Sequence, residues 1–185
     1  MPAATIIVLT AIVLMTLLLP LGVMLALRRR GGTWTAFLTG AGTFVLFAMV
    51  LEPILHNLIL RSPAGAAIQQ NILLYALYGG LAAGLFEETG RLLAFRFILK
   101  PHTARITALS YGIGHGGIEA FWVMGLSMIA NLSLGLAYTS GAPLPAEAAA
   151  AAETILSTPA GMFLWGGLER LSAMALHMAL SVLVF

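Results

Sequence analysis

Cysteine is absent from the 185 residues, which excludes disulfides, thiolate nucleophiles and cysteine-held metals. Charge is nearly as scarce. Only 9% of the residues are charged, against about 25% in a soluble domain. Nine basic and seven acidic residues leave a net charge of +2, too small an excess for a nucleic-acid partner. The chain also lacks a phosphate-binding loop, a dinucleotide fingerprint, an HExxH zinc helix and any internal repeat. What remains is apolar: 60% hydrophobic residues and a mean hydropathy of +0.99. The fold class that follows is all-α, a polytopic helical protein whose first partner is the lipid bilayer.

Five spans are expected, at about 4–27, 34–60, 72–99, 106–137 and 160–185, forming one integral membrane domain. The first ends in Arg28-Arg29-Arg30, so its charge follows the apolar run instead of preceding it, unlike a signal peptide. Lys and Arg accumulate on the cytoplasmic side, which places the N-terminus outside and makes Lys100–Arg105, with a solvated His102, a second cytoplasmic loop. Residues 138–159, with Gly141, Pro143 and Pro145 ahead of an alanine-rich stretch, are expected outside as a loop with a short helix. The sequence stops at Phe185 inside an apolar run, and a further C-terminal portion is expected.

Against this background the buried charges stand out. An ionisable group inside a membrane helix costs about 2.5–3.5 kcal/mol by insertion scales, so clusters are kept where they pair or line a polar cavity. Glu87-Glu88-Thr89-Gly90-Arg91 is one cluster: i,i+4 spacing pairs Glu87 with Arg91 and turns Glu88 about 100° away, free for chemistry. A second is His115 with Glu119, again i,i+4, on a bed of Gly112, Gly114, Gly116 and Gly117 that lets neighbours approach closely. A third is Glu169, Arg170 and His177, with Glu169, Ala173 and His177 on one face. Similar depths let the last three spans converge on one polar pocket. Glu52 and His56 share a helix face and read as an interfacial helix end or as an accessory wall of that pocket. Proton-coupled transport and a structural scaffold of ion pairs also use buried Glu, His and Arg, although pseudo-repeats that would favour a carrier are not seen.

The adjacent glutamates with their arginine, an aromatic-x-x-x-His and a later helix with His resemble the CAAX-protease and bacteriocin-processing (CPBP, or Abi) superfamily of intramembrane proteases. The wording Glu87-Glu88-Thr89-Gly90-Arg91 and His115-Gly116-Gly117-Ile118-Glu119-Ala120 is similar to its YhfC branch. The resemblance implies a peptidase of the bacterial cytoplasmic membrane acting on a membrane protein or peptide. It implies that Glu87 or Glu88 activates water, and that His115 and His177 bind a metal such as zinc or orient the water and the scissile carbonyl. Glu88 is expected to be the base and third metal ligand, and Arg91 its catalytic neighbour; Glu119, Glu169, Arg170, Glu52 and His56 are expected to support the site from behind. Two departures are visible. The arginine is one residue closer to the glutamates than is common, and His177 is followed four residues on by Ser181 where the superfamily has Asn or Asp. Ser181 is then a weaker oxyanion donor, or the final motif lies beyond Phe185.

Overall fold

Helices begin where the sequence offers a cap or a proline. Thr33 accepts a hydrogen bond from the Ala36 N–H at one start, and Asn71 accepts from Leu73 and Leu74 at another. Pro2, Pro145 and Pro159 precede three further starts, and Pro63 is the first residue of another. In the computed structural model, which describes all 185 residues, seven helices result and there is no strand. They are α1 (Ala3–Arg28), α2 (Trp34–Leu60), α3 (Pro63–Gln70), α4 (Ile72–Leu93, extended by a wider turn over Ala94–Ile98), α5 (Arg105–Thr139), α6 (Ala146–Ser157) and α7 (Ala160–Val184). A π-helical stretch, Val45–Leu51, interrupts α2 just before Pro53, whose missing N–H and bulky ring disturb the preceding turn. A second, Phe121–Gly125, interrupts α5.

The N-terminal half of α5 is the centre of the bundle, packed between α2 and α7 with α1 across it. Glycine makes that position accessible. A Cβ at Gly114 would strike the carbonyl oxygen of Phe37 on α2, and one at Gly112 would lie 2.5 Å from Cα of Met178 on α7. Backbone therefore meets backbone on both sides. Pro20 of α1 fits into the gap left by Gly117. Around this axis Ala36, Phe95, Leu99, Ala108 and Tyr111 form one core cluster, Ile113, Ala120 and Met174 a second, and Leu9, Ile12 and Met128 a third.

The outside of the bundle is apolar: Leu58, Leu81, Trp165 and Leu183 are all exposed. Such a surface is stable in lipid and not in water. This is a helical membrane protein, and α1, α2, α5 and α7 are each long and apolar enough to cross the bilayer. The fifth expected span, α4, is less apolar because it carries Glu87, Glu88 and Arg91, with Arg96 following in the wider turn.

Candidate functional site

Three helices each bring one side chain to a point inside the bundle: Glu87 from α4, His115 from α5 and His177 from α7. His115 is fully buried, His177 almost so, and Glu87 half-buried. The glycines of α5 set the spacing, since a Cβ at Gly116 would lie 3.3 Å from the His177 ring. The imidazoles stack at a tilt, with centroids 4.6 Å apart, and Phe44 presents an edge to His115 at 5.4 Å. Glu87 Oε2 is 3.1 Å from His115 Nε2 and 3.7 Å from His177 Nδ1. One donor atom from each residue falls within 4.8 Å of the others.

Here the sequence expectation requires correction. Arg91 is paired with Glu88, Nε to Oε2 at 3.1 Å, and not with Glu87. Helix geometry permits i,i+3 as readily as i,i+4, and the three-residue spacing leaves Glu87, not Glu88, facing the histidines. Glu88 is absent from the three-donor group and its side chain is more than a third exposed. Arg91 itself is wholly buried and acts as a clamp. Its Nη1 donates to the His177 carbonyl at 2.9 Å and to Ser181 Oγ at 2.6 Å, and its Nη2 lies 3.1 Å from His177 Nδ1. The Ser181 hydroxyl in turn donates to the His177 carbonyl at 2.6 Å, so its proton is already engaged.

Glu119 also departs from expectation. It turns away from His115 on its own helix and reaches His177 across the interface, Oε2 to Nε2 at 2.5 Å. Arg170 Nη1 donates to the other Glu119 oxygen at 2.7 Å. A carboxylate thus backs His177 and an arginine backs the carboxylate. Glu169 does not extend a stripe toward His177; its exposed side chain closes on the neighbouring Arg170. Glu52 and His56 pair with each other at 3.0 Å, and His56 Nδ1 meets the Tyr78 hydroxyl at 2.8 Å; no hydrogen bond or ion pair joins them to Glu87 or the central histidines. Tyr78 escaped the sequence reading, and Tyr111 entered it only as the aromatic of the aromatic-x-x-x-His signal. Tyr78 gave no periodic signal, because its contact with His56 spans two helices. Tyr111, one turn before His115, is fully buried with its hydroxyl unpartnered and Arg91 5.9 Å from its ring centre.

Two imidazoles and one carboxylate are a donor set that suits zinc in hydrolytic centres. Ligand distances of about 2.0–2.2 Å imply separations of about 3.3–3.6 Å between tetrahedral ligands, and the observed 3.1 and 3.7 Å bracket that range. His177 has the carboxylate support that a metal-bound imidazole ordinarily needs, whereas His115 Nδ1 is buried with no partner. The residues fit a metal, with the Arg91 guanidinium competing for the His177 Nδ1 lone pair.

The comparisons with other proteins point the same way. The model of a family described as YhfC intramembrane metalloprotease matches residues 15–185. A Bacillus subtilis (strain 168) protein named "Uncharacterized membrane protein YhfC" is 37% identical over 182 residues, an alignment covering 90% of this chain and 69% of that protein. No solved structure matches.

Proposed function

The chain belongs to the YhfC family, and from that premise we propose that it is an intramembrane metalloprotease hydrolysing a peptide bond of a membrane protein or membrane-associated peptide. The observation that carries the reading is the meeting of Glu87, His115 and His177, from three helices, inside a lipid-facing bundle. Hydrolysis there requires a water, a base and stabilisation of the developing oxyanion. His115, His177 and Glu87 would hold the ion, zinc being the metal that suits the donors; when bound, it supplies Lewis acidity and acidifies a water.

The protein's own groups have distinct tasks in this mechanism. Of the two glutamates, Glu87 and not the expected Glu88 takes the role of base: its Oε2 faces both imidazoles, while Oε1 makes no hydrogen bond within the protein and is left to accept the proton of the attacking water. Glu119, held by Arg170, fixes the orientation of His177. Arg91 ties α7 to α4, and Glu88 balances its charge. The two glutamates, the arginine and the histidines also support a wider placement in the CPBP superfamily. The basic loops support an outside N-terminus, and the Bacillus subtilis relative supports a bacterial cytoplasmic membrane.

Elemental analysis of purified protein tests the reading. About one zinc-class ion per chain is expected, lost on replacing either His115 or His177 with Ala, because a centre missing one ligand binds far more weakly. Cleavage of a reconstituted membrane substrate should stop in both variants and with a chelator. Metal that survives both single replacements, or falls by half in each, counts against a shared centre.

A further inference from the structure

Six of the nine basic residues, Arg28, Arg29, Arg30, Arg96, Lys100 and Arg105, lie in the two loops and the last turn of α4 at one end of the bundle. The loops are neighbours: a Cβ at Gly32 would lie 2.7 Å from Ser110 Oγ near the start of α5, and Ala36 packs in one cluster with Phe95 and Leu99. None of these six cations pairs with a carboxylate, and all seven acidic residues lie elsewhere. At this end is a cavity of about 620 Å³ whose wall carries two of the six, Arg96 and Lys100, together with His102. The rest of the wall is Phe95, Phe97, Leu99 and Phe185, with Thr103 as a fourth polar residue. Phe95 and Leu99 are buried, while Phe97 is exposed on the lipid-facing side.

We propose that this cavity binds the head group of an anionic phospholipid, with the phosphate between Arg96, Lys100 and His102 and the glycerol and first methylenes against Phe95 and Phe97. Arg96 and Lys100 are exposed and, like His102, have no carboxylate partner, so this wall presents uncompensated positive charge that an anionic head group would complement. The apolar walls select an anion with a hydrocarbon tail. A free phosphate would satisfy the cations but leave the aromatic wall without a partner. Basic pockets at a helix end, at head-group depth, are where such lipids are recognised.

The test is the melting temperature of the detergent-purified protein, measured with dioleoylphosphatidylglycerol, with dioleoylphosphatidylcholine at the same concentration, and with inorganic phosphate. Phosphatidylglycerol should raise Tm by about 2–4 °C and the other two should not. The double variant Arg96→Gln/Lys100→Gln should lose that rise. Arg29→Gln/Arg30→Gln, which alters the same basic end but not the cavity wall, should keep it. Native mass spectrometry of the unmodified protein gives an independent reading: phosphatidylglycerol should be retained in preference to phosphatidylcholine from an equimolar mixture. Equal shifts with phosphatidylcholine would mean a non-specific lipid effect, and equal shifts with phosphate an anion site without lipid selectivity. A rise that persists in Arg96→Gln/Lys100→Gln would locate binding elsewhere. Each of these three results overturns the proposal, and none bears on the metal centre.

Discussion

Glu52 and His56 lie one turn apart on α2, so their 3.0 Å contact is made within a single helix. Glu87, His115, His177 and Glu119 make theirs across α4, α5 and α7. The first arrangement asks nothing of the fold, since any α2 helix would place the two side chains together. The second exists only because glycines on α5 let α2 and α7 approach to backbone contact. Bringing buried ionisable groups together from separate helices costs desolvation that only mutual pairing offsets. Glu52 is buried as well, so what sets the central cluster apart is its assembly from three helices, and that makes it the candidate site.

The sharpest way to break this comparison is to remove the two α4 carboxylates one at a time, Glu87 inside the central cluster and Glu88 beside it. Glu87→Gln keeps the size of the side chain but removes the anion and the proton acceptor, and cleavage of a membrane substrate should fall about 10²–10⁴-fold. Glu88→Gln should cost far less activity, because Glu88 faces Arg91 and not the imidazoles. Turnover measured for both variants decides the assignment; full activity in Glu87→Gln would return the site to a structural or transport role.

Stability should follow the same division. Arg91→Met removes a fully buried cation that holds two α7 groups, the His177 carbonyl and Ser181 Oγ. Breaking a buried charged network from one side costs about 3–5 kcal/mol, and thermal unfolding in detergent should show a correspondingly large drop in Tm. Gly114→Ala comes next. Alanine favours a helix over glycine by about 1 kcal/mol, but here its methyl would meet the Phe37 carbonyl, and neither backbone can yield cheaply. A net destabilisation of about 1–3 kcal/mol is expected, with activity falling as the imidazoles move apart. An unchanged or raised Tm in Gly114→Ala would show that the α2–α5 contact can take up a methyl group without cost.

How much of this was legible in the sequence depends on whether a contact is local. Composition and charge placement gave a helical membrane protein, and the glycines of α5 announced close packing. The Glu52–His56 pair could be read directly because it is set by helix periodicity. The same rule misassigned Glu119 to His115: i,i+4 makes the pairing geometrically available, but the rotation of α5 against α7 presents Glu119 to His177. Likewise nothing in Glu87-Glu88-Thr89-Gly90-Arg91 distinguishes i,i+3 from i,i+4 pairing, and the choice between the glutamates is made by where α7 places its carbonyl and hydroxyl for Arg91. Tyr78 had no legible partner at all, since its link to His56 joins residues 22 apart on two different helices.

The smallest effect is expected inside the α2 cluster, where both kinds of contact meet at one residue. His56 Nε2 faces Glu52 within its own helix, and His56 Nδ1 faces the Tyr78 hydroxyl on α4. Glu52→Gln retains an amide oxygen for the imidazole and removes a buried negative charge whose desolvation already offsets much of the pairing, so Tm should barely move. Tyr78→Phe deletes a hydrogen bond between helices, worth about 1 kcal/mol, and should lower Tm measurably although Tyr78 lies outside the central site. The unfolded helix can still form the Glu52–His56 contact, whereas it cannot form the one to Tyr78, and stability records only what folding adds. A larger loss from Glu52→Gln than from Tyr78→Phe would mean that Glu52 serves the central site after all, and that the two clusters are one.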